Sequence, residues 1–106
     1  MRHALAGDLH APDPTFYPVD DDMGESLLHR HIADLLRILL QRHLTLGGQR
    51  ALVGANQFIY FVQGDPKACV SPDVYVLPGV PLDTPIDCWK VWETGVVPSL
   101  AIEVVS

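Results

Sequence analysis

Apolar side chains in residues 24–46, "GESLLHRHIADLLRILLQRHLTL", fall at Leu28, Ile32, Leu35, Leu36, Leu39 and Leu40. That three- and four-residue spacing predicts one long helix with these positions facing the core. Arg30, Asp34, Arg37 and Gln41 form the opposite stripe, read as a solvated face, with Arg30 and Asp34 four residues apart. Gly47-Gly48 ends the helix. The period then shortens. "RALVGANQFIYFVQGDP" is rich in β-branched and aromatic residues and closes on a Gly-Asp-Pro turn. Strands are expected near Ala51–Val53, Gln57–Val62, Asp73–Leu77 and Ser99–Val105. "DCWKVWETGVVP" reads as a loop with an irregular turn. Residues 1–23, with several prolines and an Asp-Asp-Asp run, read as an extended N-terminal arm with one short strand around Phe16–Val19. Residues 24–106 form the domain. A helix followed by strands predicts an α+β fold, a helix packed on one face of a mixed β-sheet.

The last strand holds an anomaly. In "PSLAIEVVS", Leu100, Ala101, Ile102, Val104 and Val105 suit a buried strand, and Glu103 does not. A buried carboxylate must find a cation or a donor, or hold its proton. Asp73 likewise opens an otherwise apolar strand. Glu25 lies on one helical stripe with His29, Ile32 and Leu36, so it is expected to point toward the sheet. Three acids thus converge on one edge of the core in this reading, and oxygen ligands of this kind suit Mg²⁺ or Mn²⁺. Simpler roles stand beside it. Asp73 after Ser-Pro suits a turn, Glu25 suits a helix N-terminus, and Glu103 suits an ion pair with an arginine such as Arg50.

Composition narrows the choice. A chain of 106 residues is one domain at most, and it buries roughly 65% of its unfolded surface. Its 48% hydrophobic content argues against disorder. No apolar run approaches the ~20 residues of a membrane span, and the N-terminus has no signal-peptide pattern, so a cytoplasmic protein is expected. Cys69 and Cys88 form no CxxC pair and read as ordinary core or loop residues. The net charge of −6 counts against strong non-specific binding to nucleic acid. His29 and His31 are two residues apart and face opposite sides of the helix, and His43 is far along it, which argues against a zinc pair. Neither Ser26 nor Cys69 sits in a triad pattern.

"GESLLHRHIADLLRILL", "GANQFIYFVQGDPKACVSPDVYVLPGV" and "WKVWETGVVPSLAIEVVS" together resemble the Uma-two family of restriction-endonuclease-like proteins, in the PD-(D/E)XK nuclease-like superfamily. The resemblance runs from about Tyr17 to Ser106. It implies a restriction-endonuclease-like fold and a divalent-metal-dependent endonuclease acting on DNA. Asp73 and Glu103 become the catalytic acids, and Glu25, Asp73 and Glu103 the ligands of Mg²⁺ or Mn²⁺, which polarises the scissile phosphate and activates a water. The pattern departs in one respect. A lysine is expected two residues after the second acid or in a later segment, but Val105 stands there, and Lys67 and Lys90 match neither place. The resemblance therefore implies a partial domain, lacking the family's C-terminal helix and strands. Exposed apolar surface and open strand edges then predict self-association, a homodimer above all. The alternatives are an inactive nuclease-fold remnant acting as an oligomerising or binding module, and a small α+β binding protein unrelated to DNA.

Overall fold

The computed structural model describes residues 13–19 and 27–105. In chain order the elements are α1 (Leu27–Leu46), β1 (Ala51–Gly54), β2 (Ile59–Tyr60), β3 (Cys69–Val70), β4 (Val74–Pro78), β5 (Trp89–Lys90), α2 (Val91–Thr94) and β6 (Leu100–Ile102). The fold is α+β, with the strands in two three-stranded sheets. The first has the order β1-β4-β6 and is antiparallel throughout. The second has the order β3-β2-β5, with β2 antiparallel to β3 and parallel to β5.

β4 is the hub. Its run Val74–Leu77 is buried on both sides, which is why it reads as continuously apolar and not alternating. Val74 and Val76 face α1, where they pack with Ala33, Val53 and Ala51 and with the half-buried Leu36, Leu40, Leu44 and Ile102. Tyr75 and Leu77 face the other way and pack with Ile59, Val80 and Trp89.

α1 ends as its sequence requires. Gly48 adopts the left-handed conformation, with φ of 75°. The Gln49 N–H then bonds the Leu44 carbonyl at 2.9 Å and the Gly48 N–H bonds the Thr45 carbonyl at 3.1 Å. This paired closure satisfies carbonyls the helix leaves open.

Several expectations are corrected. α1 is turned roughly a quarter turn from the predicted face. Ala33, Leu36, Leu40 and Leu44 meet the sheet, whereas Leu28, Ile32, Leu35 and Leu39 are exposed. Gln41 belongs to the sheet side and not to a solvated stripe. Its amide donates to the Ala51 carbonyl at 3.0 Å and accepts from the Val53 N–H at 2.9 Å. It thus occupies backbone groups along the outer edge of β1, as a neighbouring strand would.

The segment expected to be a loop contains β5 and α2, because Trp89 is buried beside Ile59 and its indole N–H donates to the Val96 carbonyl at 2.9 Å. β3 had no sequence signal beyond two residues after the Gly-Asp-Pro turn. Phe16–Val19 form no strand. Tyr17 instead docks on the second sheet, packing edge-on to Tyr60 and against Trp92, with its hydroxyl donating to Asp13 at 2.6 Å and accepting from the Gly64 N–H at 2.8 Å. β6 is an edge strand and not a buried one, with Leu100, Ala101 and Glu103 exposed. Among the described residues, no helix is long and apolar enough to cross a membrane.

Candidate functional site

The end of β4 nearest Asp73 is set by a clamp between two loops. Asn56, with a left-handed φ of 68°, turns the chain out of β1. Its N–H donates to the Pro72 carbonyl at 3.1 Å, and the Ser71 hydroxyl donates to the Asn56 carbonyl at 3.1 Å. Gln57 braces the same corner, its side-chain oxygen accepting from the Ala55 N–H at 3.1 Å and the Tyr75 hydroxyl at 2.7 Å. Asp73 follows this clamp and is buried, 6% exposed.

Three groups meet the Asp73 carboxylate. The backbone N–H of Val104 donates to Oδ2 at 2.5 Å. Nε2 of His29, reaching down from the first turns of α1, lies 2.9 Å from Oδ1. Glu103 is the third. The β4–β6 register pairs Val74 with Ile102, so one residue further Asp73 stands across from Glu103.

The two acids respond oppositely. Burial pushes the Asp73 carboxyl up, but the Val104 N–H and His29 outweigh it and hold the group below the usual carboxylate range. Desolvation and then the facing Asp73 charge push Glu103 above its ordinary value.

Two of the three acids singled out in the sequence are thus brought together. The third, Glu25, lies outside the described residues. Arg50 does not pair with Glu103. It precedes β1, whose Ala51 registers with Pro78 at the far end of β4. Asp73 does not serve a local turn either, because its partners are 31 and 44 residues away in sequence. The sequence places His29 on the sheet-facing stripe of Glu25, Ile32 and Leu36 and weighs its chemistry only as a zinc ligand. Its approach to Asp73 follows from its place one turn before Ala33, on the buried face of α1. The Val104 N–H carries no sequence signal.

Among the described residues, no set of three or more His, Cys, Asp and Glu side chains is arranged to hold a metal ion. Asp73 and Glu103 therefore amount to a two-carboxylate donor set. That set fits Mg²⁺, which takes one or two carboxylates and completes its shell with water and phosphate oxygens.

Compared with family models, curated proteins and solved structures, the chain finds no match in any of the three.

Proposed function

We propose that this chain is a restriction-endonuclease-like domain whose acid pair, Asp73 and Glu103, holds Mg²⁺ or Mn²⁺ for phosphodiester hydrolysis. One observation carries the reading: two carboxyl groups face each other at adjoining strand ends, one of them carrying a raised pKa. Like charges opposite one another in a sheet are unfavourable, and a cation shared between them offsets that repulsion. The resemblance supplies the direction, because it joins these same two positions to a nuclease.

The chain's own residues have distinct tasks in this reading. The Val104 N–H and His29 fix the Asp73 carboxylate, leaving it little freedom to turn away. Glu103, exposed just after β6, is the more weakly acidic of the two, and a bound cation would favour its ionised form. When bound, the cation polarises the phosphate and lowers the pKa of a coordinated water.

A second reading keeps the cation and drops the hydrolysis. The chain has two lysines. The Lys90 ammonium lies 4.6 Å from the centre of the Tyr17 ring, on the second sheet. Lys67 sits in the exposed turn after Gly64. Neither is on the elements that carry the acids, and position 105 is valine. The second reading is therefore a cation-binding module of the same fold.

Thermal melting with increasing Mn²⁺ or Mg²⁺ tests both. A rise in melting temperature that disappears in Glu103→Gln supports the acid site. At ligand concentrations ~100-fold above Kd the stabilisation is about 2.7 kcal/mol. A melt indifferent to both metals overturns the cation in either reading. Cleavage of a supercoiled plasmid by the metal-loaded chain, lost in Glu103→Gln, separates the enzyme from the remnant.

A further inference from the structure

α1 is apolar over more of its circumference than its sheet covers. Ala33, Leu36, Leu40 and Leu44 fill the arc that meets β1 and β4. A second row, Leu28, Ile32, Leu35, Leu39, Arg42 and Leu46, runs along the adjoining arc and is exposed in full, with Leu28 at 69% and Leu46 at 76%. The two rows differ in period. The first steps by three, four and four, the drift of a straight helix lying on a sheet. The second steps by four and three in strict alternation, the 3.5-residue repeat that keeps one seam facing a second helix. The helix has no freedom to roll this seam into its own core, because Gln41 is tied to Ala51 and Val53 on β1.

We infer that this seam is the contact surface for the same helix of a second copy of the chain, packed antiparallel about a two-fold axis near Leu35 and Leu39. Area supports a stable pair. The six side chains expose on the order of 600 Å² per protomer, at the top of the ~300–600 Å² range of a monomer's largest apolar patch and about three quarters of the ~800 Å² each partner gives to a standard interface. A shallow groove of about 420 Å³ beside Arg42 and Leu46 adjoins the C-terminal end of the seam.

Charge decides the direction. In a parallel pair Arg42 meets Arg42 of the other copy at the seam. An antiparallel pair places it across from Ile32 and separates the two guanidinium-bearing positions by roughly 15 Å along the axis. The helix dipoles are also opposed in that arrangement, which favours it. The site at Asp73 and Glu103 takes no part in this surface.

Sedimentation equilibrium of the full chain over a dilution series tests the inference. The wild type is expected at twice the monomer mass, and Leu35→Glu/Leu39→Glu at the monomer mass with its circular dichroism unchanged. Leu82→Glu, which places the same charge on an exposed leucine outside α1, is expected to leave the mass doubled. A wild type that stays monomeric, or a doubled mass that survives in Leu35→Glu/Leu39→Glu, overturns it. Direction is read by oxidation in a Cys69→Ser/Cys88→Ser background. Leu28→Cys and Leu46→Cys chains are expected to cross-link when mixed and not when each is oxidised alone. Cross-linking of either alone overturns the antiparallel arrangement.

Discussion

Asp73 and Glu103 stand across from each other where β4 and β6 adjoin, and their carboxyl groups are driven in opposite directions, Asp73 below its ordinary value and Glu103 above it. The asymmetry follows from what each one touches. Asp73 has a backbone N–H and an imidazole fixed on it, and Glu103 has Asp73. A carboxylate with a backbone donor and an imidazole beside it tolerates burial, whereas a carboxyl that is partly desolvated and faces that charge loses its proton less readily.

Stability should therefore pass through a maximum in mild acid. Asp73 is depressed in the fold, so its contribution is present above its unfolded value of 3.8 and is lost as pH falls below that through the folded value. Glu103 is raised in the fold, so its contribution is present below 4.5 and is lost as pH rises from there through the folded value. Denaturant midpoints measured from acid to neutral pH without divalent metal check both limbs. In Glu103→Gln the falling limb should flatten and the acid limb remain.

At neutral pH without metal, Glu103→Gln is expected to stabilise the chain by ~0.2–1 kcal/mol, the scale of like charges facing each other across a strand pair. Asp73→Ala should do the opposite and cost about 1–3 kcal/mol, because the Val104 N–H and His29 lose their acceptor. Urea unfolding of the two variants side by side gives the comparison. Equal losses in both would mean that Glu103 is not strained by Asp73.

Gln41 makes a separable contribution. Its amide serves Ala51 and Val53 at once, so Gln41→Ala should cost about 1–2 kcal/mol for two hydrogen bonds. Gln41→Glu keeps the acceptor for the Val53 N–H but sets an ionised oxygen against the Ala51 carbonyl. It should be as destabilising as Gln41→Ala at neutral pH and recover in acid, where the protonated carboxyl donates again. Thermal melts of both variants at two pH values test this. A Gln41→Glu variant insensitive to pH would place the side chain in solvent.

The parts legible in the sequence are those set by local rules. The Gly47-Gly48 stop of α1 and the strand expected at Asp73–Leu77 follow from residue type and spacing, and the structure has them with the strand at Val74–Pro78. The errors share one cause. Periodicity reports how wide an apolar face is, and tertiary packing decides which part of it is used. α1 carries two adjoining apolar rows, and a single row was inferred between them. Gln41 shares a stripe with Arg30, Asp34 and Arg37, and that spacing does not reveal that its amide matches a strand edge. Trp89 lies in a two-residue strand among prolines and glycines, which leaves almost no pattern. The stripe of Glu25, His29, Ile32 and Leu36 points His29 toward the sheet, but nothing in its neighbours signals a carboxylate 44 residues away.

Gly54 and Tyr75 pair directly across β1 and β4 and pack closely. The Tyr75 ring folds over the glycine, so a Cβ at position 54 would come within 2.3 Å of its Cζ and hydroxyl oxygen. Tyr75 has little room to yield. It is fully buried, and its hydroxyl is bound to Gln57, part of the corner that sets Asp73. Gly54→Ala is therefore predicted to cost ~1–3 kcal/mol by overpacking. Removing the ring should relieve the clash, so adding Gly54→Ala to Tyr75→Leu should be much less harmful than adding it to the wild type. A double-mutant cycle by urea unfolding measures that coupling. A Gly54→Ala penalty of the same size in both backgrounds would show that position 54 is constrained by its backbone and not by the ring, and would remove the steric link between β1 and the corner at Asp73.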